Sequence, residues 1–283
     1  MTTAEIVLRR PPRRLALGWA FVERQTNLWK RHWAWELVWL VYGVVNTLAI
    51  TFIAKEAANT GAVTSTTELP RLTLFLLIGT LVWAYMSAVL DDMSLVIMWE
   101  RWEGTIEHTL MTPVPRVVHL LGMSVFGVLH GLIRTSLILA CSLPFFSVDL
   151  GHADWPVAAA VIAVGSISLV GLGILSGILP LLYPERGEQM SFMVQALVLL
   201  VSGVYYAVNV LPGWLQAVSH FSPATYLLRG IRDAIINGDG LGHEAGNLAI
   251  LALFGVLMVP GALAAFAVAE RWAKKTGRLK RQG

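Results

Sequence analysis

Long apolar runs alternate with short polar segments along this chain. The runs cover residues 33–54, 71–95, 117–146, 156–182, 189–210 and 245–269. A helix needs about 20 apolar residues to cross a bilayer, so the pattern predicts six membrane spans. Trp29, Trp33, Trp35 and Trp39 cluster where the first run begins, as tryptophans do at a membrane interface. Asp91 and Asp92 sit near the end of the second run, and Pro144 predicts a bend near the end of the third.

Three other segments break the pattern. Residues 1–32 predict a cytoplasmic amphipathic helix lying along the membrane surface, with Leu15, Trp19, Val22, Trp29 and Trp33 on one face and Arg13, Arg24, Asn27 and Arg31 on the other. A signal peptide fits less well, because Glu23-Arg24 follow the short apolar run where small residues should mark a cleavage site. Residues 98–116 are too polar for the bilayer. On one continuous helix, Glu100, Glu103 and Glu107 form an acidic stripe beside an apolar one of Trp99, Trp102, Ile106 and Leu110. Such a helix reads as a docking element. Gly104 within it costs about 1 kcal/mol relative to Ala and implies either a close backbone approach or a helix break. Residues 203–240 are apolar but interrupted by Pro212-Gly213 and Pro223. Proline at membrane depth marks a re-entrant turn. We therefore expect two short external helices within 205–236, with Arg229, Arg232 and Asp233 at the outer surface.

Composition agrees with a chain solvated mainly by lipid. Hydrophobic residues make up 56% and charged residues 14%, against about 25% charged in soluble domains. Cys141, the single cysteine, cannot form an intrachain disulfide. Positive charge gathers at the two ends. Residues 1–31 hold Arg9, Arg10, Arg13, Arg14, Arg24, Lys30 and Arg31, and the tail 271–283 holds Arg271, Lys274, Lys275, Arg278, Lys280 and Arg281. Basic flanks orient a protein in a bilayer, which is the better reading than nucleic-acid binding. Six crossings would put both ends in the cytoplasm of a multi-pass inner (plasma) membrane protein. Segments 55–70 and 147–155 would then be external, and between them Lys55 is the one basic lysine.

Two motifs resemble the membrane subunits of ABC-2-type transporters, the permeases of ATP-binding-cassette exporters. One is Glu103-Gly104-Thr105-Ile106-Glu107 with the following Thr112-Pro113-Val114. The other is Ser202-Gly203-Val204-Tyr205-Tyr206, then Leu211-Pro212-Gly213-Trp214-Leu215, then Phe221-Ser222-Pro223-Ala224-Thr225-Tyr226, with Ser222 where the family usually has Asn. The resemblance covers essentially the whole chain. It implies an all-α membrane domain with a cytoplasmic coupling helix at 98–116 and external re-entrant helices. By the same resemblance, Glu100, Arg101, Trp102, Glu103, Gly104, Thr105, Glu107 and Pro113 meet a cytoplasmic nucleotide-binding ATPase. A second membrane subunit, identical or related, completes the path for an amphipathic drug, lipid or natural product. A lipid-linked polysaccharide is the alternative cargo. The chain has no G-x-x-x-x-G-K-[ST] phosphate loop, so ATP and Mg²⁺ belong to the partner and no catalytic residue or resident cofactor is expected here.

Polar residues within the spans complete the expectations. Tyr42, Asn46, Trp83, Tyr205 and Tyr206 are candidates to line or gate a path. Arg134 either faces that path or snorkels to headgroups. Glu36 should be solvated near the interface. His119 and His130 lie too far apart along one helix for a metal site. A membrane enzyme would need a cluster of polar groups at one depth, and the sequence shows none. A scaffold without transport would tolerate changes in 98–116. The glycines of 173–177 predict tight helix packing.

Overall fold

The computed structural model describes residues 14–60, 68–146, 150–183 and 185–277. The expected basic positions Arg9, Arg10, Arg13, Arg278, Lys280 and Arg281 lie outside the described residues. All regular structure among the described residues is helical: α1 Arg14–Arg31, α2 Trp33–Asn59, α3 Glu68–Trp102, α4 Ile106–Met111, α5 Arg116–Ser142, α6 Trp155–Ser176, α7 Ile178–Leu182, α8 Gly187–Ser202, α9 Gly213–Ser219, α10 Pro223–Arg232 and α11 Leu241–Lys275.

Five stretches are long and apolar enough to cross a membrane: Trp33–Asn59, Glu68–Trp102, Arg116–Phe145, Trp155–Leu182 and Leu241–Lys275. The fifth expected span, 189–210, is shorter in the structure. Helix α8 has 16 residues, which at 1.5 Å per residue gives about 24 Å. It stops at Gly203, whose φ of +73° ends the helix in the left-handed region. Local chemistry sets several other boundaries. Asp154 caps α6 by accepting from the Val157 amide at 3.0 Å, and a proline follows in the first turn. Pro144 turns the end of the third span into a short 3₁₀ segment, Leu143–Phe145. The break expected in 205–236 is present as α9, α10 and a π-helical turn at Asp233–Asn237.

Helix α3 is the centre of the bundle. One apolar cluster joins it to α6, α10 and α11 through Val82, Tyr85, Leu169, Leu227 and Leu251. A second, at the end of the bundle near α4, gathers Met93, Ile97, Ile106, Leu110, Ile174 and Phe266. Gly173 and Gly177 let α6 approach α3 closely. A Cβ on Gly177 would lie 2.9 Å from Ile97 Cδ1, and one on Gly173 3.1 Å from Met93 Cγ. Hydroxyl pairs Tyr85–Ser166 (2.5 Å) and Ser94–Ser176 (2.8 Å) link the same two helices. Such interhelical bonds hold spans together where the hydrophobic effect cannot.

Helix α1 packs on the bundle. It runs alongside α5 in the same direction. Gly18 meets Val118 and Gly122, the Phe21 ring lies 4.7 Å from His119, and the Trp29 ring lies 5.7 Å from His130. Its packed side carries Phe21, Val22 and Gln25, whereas Trp19 is exposed. The pair Gly18 and Gly122 lets the backbones touch, so α1 gains protein contacts along its length. The helix then ends at His32, so Trp33 belongs to α2 and is exposed too.

Candidate functional site

The chain's described ends converge on the α3–α4 corner. Arg24 of α1 pairs with Glu100 at 2.7 Å. Arg116 at the start of α5 pairs with Glu270 of α11 at 3.0 Å, and Lys274 pairs with the same carboxylate at 2.8 Å. Arg116 and Lys274 also donate to the Leu110 carbonyl at the end of α4, at 3.1 and 3.5 Å. Helix α4 is therefore fastened to α5 and α11, and α1 to the end of α3.

The continuous acidic helix expected over 98–116 is broken here. Residues 98–102 finish α3, Gly104 takes φ +74°, and α4 begins anew at Ile106. Of the two readings of Gly104, the structure shows the break. A left-handed residue resets the helical phase, so both predicted stripes split. Glu100 turns inward, 3% exposed, where it also accepts from the Thr109 hydroxyl at 3.1 Å. Glu103 stays exposed and Glu107 half-exposed. Ile106 and Leu110 are buried, while Trp99 and Trp102 are exposed and meet edge to face at 5.7 Å. Arg101 is buried and donates to the Leu181 carbonyl of α7 at 3.1 Å. Thr105 donates to the Glu100 carbonyl at 3.4 Å, and Pro113 lies exposed between α4 and α5. The surface left at this end is a Trp99–Trp102 pair beside Glu103, Glu107 and the exposed Met111.

At the opposite end, the turn after α8 packs on α3. The Tyr205 side chain faces Asn46 of α2, so two expected path residues come near each other. Tyr42, on the same helix, is exposed. Tyr206 instead donates to the Leu200 carbonyl at 2.5 Å, which closes its own turn. Trp83 packs against the central core with Tyr205. Arg232, expected at the outer surface, is turned inward. It donates to the carbonyls of Phe75, Gly203 and Val204 at 3.1, 2.8 and 2.6 Å, and lies 3.5 Å from the Phe75 ring centroid. Arg229 is exposed as expected. Asp233 is half-buried, and burial, reinforced by the nearby Glu244 and Asp239 carboxylates, pushes its carboxyl above the usual range.

Between the two ends the structure overturns a third expectation. Acidic and basic side chains do meet within the spans. His130 Nδ1 lies 2.8 Å from Asp92 of α3 and its Nε2 lies 3.2 Å from Glu36 of α2, so Glu36 is paired rather than simply solvated. Gln195 of α8 donates to Asp91 at 2.5 Å. Arg134, a turn beyond His130, donates to the Trp39 carbonyl at 3.3 Å and stacks over its ring. Sequence reasoning missed this cluster because its members come from four helices. His119, meanwhile, packs on Phe21 and joins no ligand set with His130. One His/Asp/Glu group at ligand spacing occurs among the described residues, Asp239, His243 and Glu244. There His243 is exposed and Glu244 accepts from the Asn247 amide.

The sequence itself supplies the remaining observation. The sequence model of the family described as "ABC-2 type transporter" matches residues 17–236, a stretch that includes the α3–α4 corner, the polar cluster and the far-end turn. The chain is also similar to the inner membrane transport permease YadH of Escherichia coli K12, at 27% identity over 159 residues, and to the YadH protein of Shigella flexneri at the same identity. These matches cover 56% of this chain and 58% of each relative, so the chain spans little more than half the length of the curated relatives it matches. An all-helical bundle with five spanning stretches, together with a family match over most of its length, identifies the chain as a member of the ABC-2 type transporter family.

Proposed function

We propose that this chain is the permease subunit of an ATP-binding-cassette exporter, forming half of a path for an amphipathic drug, lipid or natural product. A separate ATPase binds ATP and Mg²⁺ and drives it. A second membrane subunit, identical or related, supplies the other half. On this reading α8 is the sixth crossing, and both termini are cytoplasmic because their arginines and lysines favour that side. The α3–α4 corner then faces the ATPase. Tyr42, Asn46 and Tyr205 line the path near its outer end, where the broken helices α9 and α10 cover it.

One observation carries this reading. The corner presents exposed tryptophans at the end of α3 and the carboxylates of Glu103 beside and Glu107 on the short helix α4, which is itself bonded to α3, α5 and α11. Aromatic anchors ringed by charge suit a protein interface. A push on α4 would pass directly into the spans. No such rigid linkage is needed for a surface that merely meets water.

Reversing two charges tests it. Glu103→Lys with Glu107→Lys should leave the bundle folded, because both side chains point outward. Like charges brought together at an interface cost several kcal/mol, so affinity for the ATPase should fall about a hundredfold. The measurement is gentle-detergent co-purification from native cells, with mass spectrometry for a stoichiometric protein carrying a Walker A sequence. Normal recovery of that ATPase with the double variant would remove the docking role.

A further inference from the structure

We propose that His130 is a positioning residue for transport: as a doubly protonated ring it latches α2 to α3 and α5, and loss of one proton opens the latch. The inference rests on the transporter reading only for its consequence, movement of α2.

The geometry carries the argument. Both ring nitrogens face carboxylate oxygens, Nδ1 toward Asp92 at 2.8 Å and Nε2 toward Glu36 at 3.2 Å. A neutral imidazole has one N–H, and a carboxylate can only accept. Both bonds therefore exist together only if the ring is imidazolium or a carboxyl group has taken up the proton. The ring is 6% exposed, between two carboxylates, and imidazolium satisfies both acceptors and supplies the opposing charge. Its faces are held as well. Phe126 stacks on it at 5.5 Å, and the Trp29 ring of α1 meets it nearly edge-on at 5.7 Å.

The surrounding charges are few and can be named. From α2 comes Glu36, from α3 Asp92 with its neighbour Asp91, and from α5 itself Arg134. Helix α8 contributes Gln195, bonded to Asp91, and Glu188 beyond it. Helix α1 contributes Trp29, which does not titrate. Arg134 is engaged with the Trp39 carbonyl and ring, so His130 is the cation in contact with Glu36 and Asp92. Removing its proton leaves one carboxylate without a donor, in a setting where an unpaired charge is strongly disfavoured. The bond to Glu36 is the longer of the two and is the one that ties in α2. The chain α2–α5–α3, with Trp29 of α1 against the same ring, joins the elements around the α3–α4 corner to the first span.

The experiment uses the full chain in lipid nanodiscs, with Cys141→Ser. Spin labels are placed at Leu37 of α2 and Ile133 of α5, both exposed. Electron–electron distances are read from neutral to alkaline pH, and ¹⁵N-labelled histidine reports the ring protons in a parallel sample without spin labels. We expect both ring nitrogens protonated at neutral pH with a narrow distance distribution. On raising the pH, one ring proton should be lost as the distribution widens. His130→Gln, which can donate but carries no charge, should be wide at every pH. His130→Lys, which stays charged, should keep the narrow distribution to higher pH than the wild type. Asp92→Asn is the second variant should His130→Gln fail to fold, and it should shift the transition to lower pH. A neutral ring at neutral pH, or distances indifferent to pH and to these variants, would overturn the latch. None of these readings involves the ATPase, so such a failure would leave the proposed function standing.

Discussion

Replacing Arg232 with alanine should unfasten the far-end turn from α3 and produce one of the two largest losses of stability available from a single side chain. The guanidinium donates to three carbonyls, two in the turn after α8 and one in α3. Its planar fork also lies against Phe75. Charge-assisted bonds contribute about 1.5–3 kcal/mol each, and buried acceptors left empty cost about 1–3 kcal/mol. Such bonds are not additive, so we expect a loss of about 3–5 kcal/mol. Lysine places one compact charge where the fork bridges separated oxygens, so Arg232→Lys should recover only part. The room for this arrangement comes from Gly79. A Cβ there would sit 2.2 Å from the Val204 carbonyl oxygen and 2.7 Å from an Arg232 nitrogen, so Gly79→Val should disrupt the same junction. Thermal unfolding of the three variants in nanodiscs tests the set. Wild-type midpoints for Arg232→Ala would show that the turn is held by something else.

Removing the Glu100 carboxylate is the second large effect. Its pair with Arg24 is one-sided in exposure, 4% for the Glu100 side chain and 38% for Arg24. Breaking a buried pair by deleting one partner costs about 3–5 kcal/mol. Water can reach Arg24, so the cost falls at or just below the bottom of that scale, about 2–3 kcal/mol. Glu100→Ala also strips the Thr109 hydroxyl of its acceptor, so both α1 and α4 lose an anchor. A double-mutant cycle with Arg24→Ala separates the two contributions. Strong coupling between the two changes, together with faster proteolysis of α1, is the expected result. Additive effects would mean that the pair does not hold α1 in place. Because α4 moves with it, Glu100→Ala should also weaken ATPase recovery, even though the carboxylate never reaches the surface.

Glu100 also shows how far spacing along one helix can be trusted. Spacing alone places Glu100, Glu103 and Glu107 on one stripe, and the reasoning is sound for an unbroken helix. Gly104 breaks the helix, and its left-handed backbone rotates α4 out of phase with α3. Sequence offers both readings of such a glycine, because its cost inside a helix is about the same either way. Choosing between them takes the apolar clusters that bury Ile106 and Leu110. Likewise the hydropathy of α1 marks it as amphipathic, but the face that packs is set by Gly18 meeting Gly122, a contact between residues far apart in the chain.

By itself the sequence determined the class of molecule. Apolar runs of span length, basic ends, prolines in the 203–240 segment and a polar stretch at 98–116 are local signals, because lipid forces each helix to satisfy its own backbone and display its own hydropathy. The family resemblance rests on short motifs of the same local kind. Tertiary structure alone decided which charges meet. Glu100 with Arg24, Arg232 with three carbonyls, and His130 between Glu36 and Asp92 each join residues from different helices. The physical reason is that a charge within a bundle is positioned by the partner that compensates it. That partner is chosen by helix packing, not by spacing along one helix.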